Sequence, residues 1–429
     1  MNKDDRNGER GQGAVGKERV VVQLSLPLVD ALLGLEEDYF GLCVHAGQAV
    51  LETMMEEQRT QLCGAKWSRI ENRQVARGGS TRSEVTLGGR RVPIRRPRVR
   101  GVEGGEMSLP AFQWANRRDP LDRATMRAIA GGVSTRHYAG VLDPLPADVE
   151  ERATAKSSVS RRFVALSEAK LSEWLHQSLD DVELAAILID GIHFAEHCVL
   201  IALGVTREGR KRILGLHEGS TENATVARAI LANLVERGLD PASPILFVID
   251  GSKALRRAIR DVWGECGVVQ RCQVHKMRNV LEHLPEQARP RVRAEIAKAY
   301  ADPSHATAKS RLERLARSLE REHPGAAASL REGLEETLTL QRLRIQGALF
   351  RTLRSTNPIE NLNDSISTHT ANVKRWRGGY MILRWIASAL HHAQPRFRAV
   401  RGFSELPKLA SALAREVANK TEIGEKNAA

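Results

Sequence analysis

Two short stretches of this chain carry the same unusual pattern. "AAILIDGIHF" runs apolar from Ala185 to Ile189 and then meets Asp190 and Gly191; "PILFVIDGS" does the same at Asp250 and Gly251. A carboxylate at the mouth of an apolar strand is either a turn residue or a ligand. If the two strands lie side by side and parallel, both carboxylates reach the same sheet edge. There they repel each other, and a divalent cation resolves the repulsion. Two cations need a third acid. Glu360 in "STNPIENLND" is the candidate, because Pro358 opens a helix and places Glu360 in its first turn. Acids are also favoured in a first turn by the helix dipole alone.

Other residues in the same stretches invite chemistry. Cys272 and His275 form a Cys-x-x-His pair, but a structural zinc site needs four protein ligands and no second Cys/His pair has matching spacing. The preferred reading is a core-facing Cys272 and an active-site helper His275. His193 reads as structural or substrate-facing. Trp385, with Leu383, Ile386 and Leu390, reads as core; Trp376, between Arg375 and Arg377, reads as a base-stacking residue.

The elements that must position these groups follow from periodicity. "VELAAILIDG", "HCVLIALGVT" and "KRILGLHEG" read as three strands in hairpin succession, the last two joined by the turn "REGR". An amphipathic helix, the strand "PILFVIDGS", a second helix and the strand "VVQRCQVH" come next. This is α/β without the alternation of a dinucleotide fold, and neither a phosphate loop nor GxGxxG follows the strands. Residues 285–345 read as helix throughout.

Upstream, "GQAVLETMMEEQ" and "LVDALLGLEEDYF" have helical spacing. "TLGGRR" reads as a hairpin turn, followed by six arginines, Arg90, Arg91, Arg95, Arg96, Arg98 and Arg100, kept extended by Pro93 and Pro97 and suited to tracking phosphates. Residues 121–180 read as a helix-turn-helix region: a helix, a Gly131-Gly132 break, a helix capped by Ser134 with Arg136, then a helix capped by Ser157 or Ser158 with Arg161 and Arg162 in its first turns.

Composition agrees with a nucleic-acid partner. The 429 residues carry 65 Lys and Arg against 52 Asp and Glu, a net +13, with a pI near 9.8. That excess favours a polyanion, nucleic acid before membrane. No apolar run reaches a membrane span, and the N-terminus has no secretory signal pattern. Five scattered cysteines argue against a disulfide framework and for a reducing cytoplasm.

The sequence resembles the bacterial Mutator-like transposases, the insertion-sequence group with a DDE catalytic triad. The pieces that carry the resemblance are "ILIDGIHF", "FVIDGSKAL", "RCQVHKMRNVL" and "STNPIENLN", over roughly Arg77 to Leu409. It implies a ribonuclease H-like catalytic domain with an all-helical insertion between the second Asp and the Glu. It puts the triad on Asp190, Asp250 and Glu360, and the family's Cys-x-x-His and His-x-x-Arg-Asn signatures on Cys272, His275, Arg278 and Asn279. It implies two Mg²⁺ (or Mn²⁺) ions, terminal inverted repeats and target DNA as double-stranded substrates, and a homodimer or larger assembly on DNA. Relatives often carry Lys or Arg seven residues after the glutamate; here stands Ser367. Lys374, Arg375 and Arg377 are the nearest substitutes, and on a continuous helix Lys374 lies ~21 Å beyond Glu360.

The expected organisation is a disordered segment 1–19, a basic helical and hairpin region 20–120, the helix-turn-helix region 121–180, the catalytic core 181–284, the helical insertion 285–345, the core's Glu-bearing part 346–413, and a flexible tail 414–429. Arginines of the insertion, Arg289, Arg291, Arg293, Arg311 and Arg314 among them, are expected partly to guide DNA. The competing readings are a structure-selective nuclease that cuts without joining, a catalytically dead DNA-binding remnant, and a basic structural protein.

Overall fold

The computed structural model describes residues 39–68, 74–87, 90–101, 104–117, 128–129, 131–142, 155–219 and 224–428. The expected disordered segment 1–19 lies outside these residues, as does nearly all of "LVDALLGLEEDYF". The chain divides into two compact units, residues 1–121 with 140–154 and residues 122–139 with 155–429.

The first unit packs helix α1 (Tyr39–Cys63) and the short helix α2 (Pro110–Arg117) on a three-stranded antiparallel sheet of β1 (Val75–Leu87), β2 (Arg90–Gly101) and β3 (Glu106–Met107). Leu87 pairs with Arg90, so β1 and β2 are joined as the hairpin expected at "TLGGRR". The strand β2 alternates: Val92, Ile94 and Val99 are buried with Val44, Leu51 and Met55 of α1, which turns the arginines outward.

The second unit is built on a five-stranded mixed sheet. Its strands are β4 (Leu184–Phe194), β5 (His197–Thr206), β6 (Lys211–Gly219), β7 (Ile245–Ile249) and β8 (Gly267–Arg271), in the order β6-β5-β4-β7-β8. The first three strands are antiparallel hairpins, and β4, β7 and β8 run parallel. Both faces are covered, so β4 and β7 are apolar without alternation. On one face Ile187, Ile189, Phe247 and Ile249 pack with α4 (Ala224–Glu236) and α5 (Lys253–Trp263). On the other, Ala186, Leu188, Leu246 and Val248 pack with helices that include α3 (Lys156–His176), α13 (Asn357–Thr370), α14 (Gly379–Ala393) and α15 (Leu406–Ala428).

Between β8 and α13 the chain is helical. It runs through α6 (Gln273–Glu282), α7 (Arg289–Ala301), α8 (His305–Leu319), α9 (Pro324–Arg331), α10 (Leu334–Thr337), α11 (Thr339–Arg342) and α12 (Gly347–Leu353). Residues from α6 to α10 share a core of their own, including Val280, Val292, Ile296, Leu312 and Leu330. This helical body is fastened to the sheet by two buried cations at the C-terminal end of α9, where free carbonyls attract positive charge. Arg271 Nη1 donates to the Glu332 carbonyl at 2.9 Å, and Lys276 Nζ donates to the carbonyls of Ser329 and Glu332. Burial holds the Lys276 ammonium down to about 8, with Arg271 adding to the effect and Glu332 opposing it.

Three expectations are corrected here. Residues 131–142 form turns and a single 3-10 turn at Ala139–Val141, not a helix capped by Ser134; the Ser134 hydroxyl instead accepts from the His137 amide at 3.3 Å. The cap of α3 is Ala155, without a side-chain bond, so Ser157 and Ser158 lie within the first turn. Moreover α3 buries Val159, Phe163, Leu171 and Trp174, and Phe163 stacks on Trp385 of α14 at 4.6 Å. A helix committed this way is a layer of the second unit rather than a free recognition helix. The tail is not loose either: α15 continues to Ala428, with Leu413 buried, and Glu416 meets Arg342 at 3.2 Å.

Candidate active site

The acids are placed by strand alternation. In β4, Ala186, Leu188 and Asp190 share one face; in β7, Leu246 and Val248 share that face, and Asp250 continues it. The parallel pairing of β4 with β7 ends at Ile189–Ile249, so the two carboxylates sit next to each other where it stops. One correction follows for β4: it does not end at Asp190-Gly191 but runs on to Phe194, paired with β5. Only its β7 side is left open there, and His193 is exposed on the continuation.

Gly251 is required at its position. Its φ is +115°, and a Cβ would lie 2.2 Å from Arg271 Nε. The arginine that latches the helical insertion therefore also lies against the turn carrying Asp250. Asp250 closes that turn itself, its Oδ1 accepting from the Ser252 amide at 2.9 Å, and the Ser252 hydroxyl caps α5.

Glu360 comes from α13. Ile359, Leu362 and Ile366 pack in the core on the Asp190 side of the sheet, which leaves Glu360 and Asn363 on a common flank, three residues apart. Asn363 Nδ2 donates to Asp190 Oδ2 at 2.8 Å. The Thr356 hydroxyl donates to Glu360 Oε1 at 2.5 Å. With that proton used, Thr356 Oγ1 accepts from His275 Nδ1 at 3.3 Å, which leaves His275 Nε2 facing Glu360 Oε1 at 3.8 Å.

Cys272 stitches these elements together. It is fully buried, its amide donates to the Ile249 carbonyl at 2.7 Å, and its sulfur caps α6 by accepting from the His275 amide at 3.4 Å. The same sulfur accepts from the Thr356 amide at 3.4 Å. Thus the end of β7, the start of α6 and the start of α13 meet at one residue. Burial pushes that thiol up, and the bonds from His275 and Thr356 bring it below its ordinary value. The Cys272 sulfur in turn raises His275 against the effect of burial, and Glu360 and Asp190 add to the rise.

Electrostatics mark Asp190 as the focus. Its carboxyl is pushed up to about 7, by burial first and by the Asp250 charge next; His275 opposes the shift and Glu360 adds to it. Asp190, Asp250, Glu360 and His275 are therefore within electrostatic reach of one another. Ligand atoms of Cys272, His275 and Glu360 also lie within 4.8 Å of one another, a donor set that suits zinc better than magnesium. The Cys272 sulfur is already engaged by two backbone amides, which favours the hydrogen-bonded role. Sequence reasoning missed Thr356, Asn363 and the capping role of Cys272. Asn363, one turn beyond Glu360, carried the only readable signal.

The basic residues divide. The Arg90 side chain lies outside the described residues. Arg91, Arg95 and Arg100 are exposed on β2, Arg91 near Glu84 at 3.8 Å and Arg95 bonded to Ser80. Arg96 and Arg98 both bind Glu106, at 2.7 and 2.8 Å, so they hold β3 and are not free for phosphates. Arg136, Arg161 and Arg278 are exposed and Arg162 is half-buried. In the insertion, Arg311 is engaged by Asp302 at 3.5 Å.

The helix α13 stops at Thr370, so Lys374 is not on a continuous helix with Glu360. The chain folds back, and Trp376 packs edge-on against Phe194 at 5.0 Å, joining the core. Trp376 is thus a half-buried anchor of its segment rather than a freely exposed ring. By pinning its segment beside the end of β4, it sets exposed Lys374, Arg375 and Arg377 in the region of Phe194, four residues past Asp190.

A mixed α/β unit with half-buried acids gathered at its sheet edge, in a strongly basic chain, fits an enzyme that acts on nucleic acid. The chain belongs to the Mutator family of transposases, whose family model matches residues 30–399. It is similar to the transposase for insertion sequence element IS256 in transposon Tn4001 of Staphylococcus aureus, 29% identical over 329 residues, which cover 74% of this chain and 81% of that protein. The transposase for insertion sequence element ISRM5 of Rhizobium meliloti is 29% identical over 76% of this chain and 80% of its own length. That for IS406 of Burkholderia multivorans is 27% identical over 80% and 88%. Among the described residues, no helix is long and apolar enough to cross a membrane.

Proposed function

We propose that this chain binds the terminal inverted repeats of its insertion sequence, cuts a DNA strand there and joins the freed 3′-OH to target DNA. Asp190, Asp250 and Glu360 are the ligands of two divalent cations, Mg²⁺ or Mn²⁺. The observation that carries the reading is the crowding of carboxylates around Asp190, whose proton is retained up to about 7. Such a cluster is fully charged at neutral pH only when a cation compensates it. Its donors are all oxygens, which suit hard ions. Bound there, the ions would supply Lewis-acid stabilisation of the phosphate and a nucleophile at neutral pH.

The chain's own residues orient these ligands. Asn363 occupies Oδ2 of Asp190 and Thr356 occupies Oε1 of Glu360, so each carboxylate presents its other oxygen. His275 Nε2 faces Glu360 Oε1 at 3.8 Å, and the Cys272 sulfur raises its imidazole, which favours the cationic form beside a phosphate. The sheet with acids on neighbouring strands, helices on both faces and a helical block before the Glu-bearing helix support a ribonuclease H-like domain. An insertion sequence has two ends, which calls for a homodimer or larger assembly on DNA.

The test is incubation of the full chain with a labelled duplex carrying the element's terminal repeat, a target duplex and Mg²⁺. Cut ends and joined products are expected, and Asp250→Asn should bind duplex and cut none. Cleavage without joining would favour a structure-selective nuclease, and binding without cleavage a catalytically dead remnant. Equal affinity for repeat and random duplex would remove the repeat-recognition part.

A further inference from the structure

Helix α13 has three faces, and the chemistry above uses two of them. Ile359, Leu362 and Ile366 face the core, and Glu360 with Asn363 faces the acids. At 100° per residue, Pro358, Asn361 and Ser365 lie roughly 130° around the helix from Glu360, adjoining the core face at Leu362. They line a cavity of about 300 Å³ whose far wall carries Lys211 of β6 and Arg396 and Arg398, from the segment following α14.

The cavity is one-signed. Among the described residues no acidic side chain lines it, and Lys211, Arg396 and Arg398 have no carboxylate partner. Elsewhere in this chain cations are commonly paired, as Arg96, Arg98 and Arg311 are. Lys211 is half-buried, with its ammonium 5.4 Å from the Phe397 ring centre. Burial holds it below the ordinary lysine range, and nothing opposes that effect. A half-buried cation without a counterion is costly, and an arriving anion relieves the cost. Asn361 and Ser365 add neutral hydrogen-bonding groups on the opposite wall.

We infer that this cleft binds the phosphodiester backbone of a DNA strand whose scissile phosphate lies at the acids on the other flank of α13. The inference rests on the proposed function for the identity of that strand. The two flanks are separated by about one helix diameter, on the order of 10 Å. That corresponds to about three nucleotides of one duplex strand at 3.4 Å each. The cleft thus supplies, from across α13, phosphate contacts that Ser367 cannot make on the Glu360 face.

The experiment measures binding of the full chain to a fluorescein-labelled 30-base-pair duplex by anisotropy, from 50 to 200 mM KCl. The variant Lys211→Gln/Arg396→Gln/Arg398→Gln should flatten the salt dependence by ~2.7, one phosphate contact per cation at ~0.9 each. Over that fourfold rise in salt, the wild-type chain then loses ~40-fold more affinity than the variant does. The conservative variant Lys211→Arg/Arg396→Lys/Arg398→Lys should keep the wild-type slope. Asn361→Trp, at an exposed helix position, fills the cleft without changing charge and should weaken binding. An unchanged slope in the Gln variant, or wild-type affinity in Asn361→Trp, overturns the inference. So does calorimetric binding of inorganic phosphate that Asn361→Trp abolishes while duplex binding is unaffected, which would assign the cleft to a free anion. Should the triple variant not fold, Arg396→Gln and Arg398→Gln are read singly, each expected to flatten the slope by ~0.9. Cleavage is scored separately. A chain that shows the slope loss but never cuts keeps the cleft and overturns the enzymatic reading; one that cuts while the Gln variant keeps its full slope does the reverse.

Discussion

Replacing Asp190 with Asn keeps the side chain's shape and its bond from Asn363 and removes its charge. In metal-free protein the Asp190 carboxyl is raised from 3.8 to about 7 by burial and then by Asp250. It therefore holds its proton more tightly in the folded chain than in the unfolded one. Below about pH 4 both states are protonated and the residue costs nothing. From about pH 4 to 7 the unfolded chain ionises first, and folding stability falls by ~1.4 kcal/mol per pH unit. Above pH 7 the penalty is complete, at most about 4 kcal/mol. Asp190→Asn removes it. Melting in EDTA should show equal Tm for both proteins near pH 4 and a higher Tm for the variant at pH 8, by up to ~8 °C at ~2 °C per kcal/mol for a unit this large. Adding Mg²⁺ at pH 8 should raise the wild-type Tm and leave the variant's nearly unmoved, while the variant cuts no DNA. A variant no more stable than wild type at pH 8, or equally stabilised at both pH values, would refute the claim that crowded carboxylates strain this site.

Thr356→Val removes the hydroxyl bridging Glu360 and His275 with little change in volume. Cleavage should slow ~10- to 100-fold, as expected for one charge-assisted bond, with a shifted pH–rate profile, and Thr356→Ser should restore both. Gly251→Ala forces a Cβ against Arg271 at a φ of +115°; a loss of ~3 kcal/mol or more in denaturant melts is expected, together with loss of cleavage. Trp376→Ala frees the segment bearing Lys374, Arg375 and Arg377, so duplex affinity should fall at constant charge with the sheet's circular dichroism retained. Unaltered affinity would show that the anchor does not matter for DNA.

What could be read from the sequence followed from local rules. Apolar runs ending in Asp, a hairpin succession of strands and an unbroken helical block each have a period or punctuation, and the sheet follows once β4 and β7 are taken as parallel. What failed was partner assignment. Val159, Phe163, Leu171 and Trp174 announce a buried face on α3, but their spacing is the same whether that face meets a second recognition helix or the sheet. Ser134, Ser157 and Ser158 are good capping residues, yet the chain uses Ser134 in a turn and caps α3 at Ala155. Arg96 and Arg98 looked free because Glu106, their partner, lies on another strand. Thr356 was hidden because Thr at a helix start ordinarily means capping, and Asn363 because an Asn one turn on has no chemistry without Asp190 opposite it.

Ser367 shows how these limits bear on mechanism. Along a straight helix, the missing cation after Glu360 reads as a lost DNA contact, since Lys374 would lie ~21 Å away. That inference depends on the helix continuing, and it stops at Thr370. Folding back costs chain entropy, and burying Trp376 on Phe194 offsets it. An aromatic residue flanked by arginines thus holds positive charge near the end of β4. On the other flank of α13, Lys211, Arg396 and Arg398 gather around the cavity without acidic neighbours among the described residues. Positive charge absent from the Glu360 face is available beside it from two separate parts of the chain. The spacing rule that a sequence can display is therefore weaker than the physical requirement, which is only that cations reach the phosphates flanking the acids.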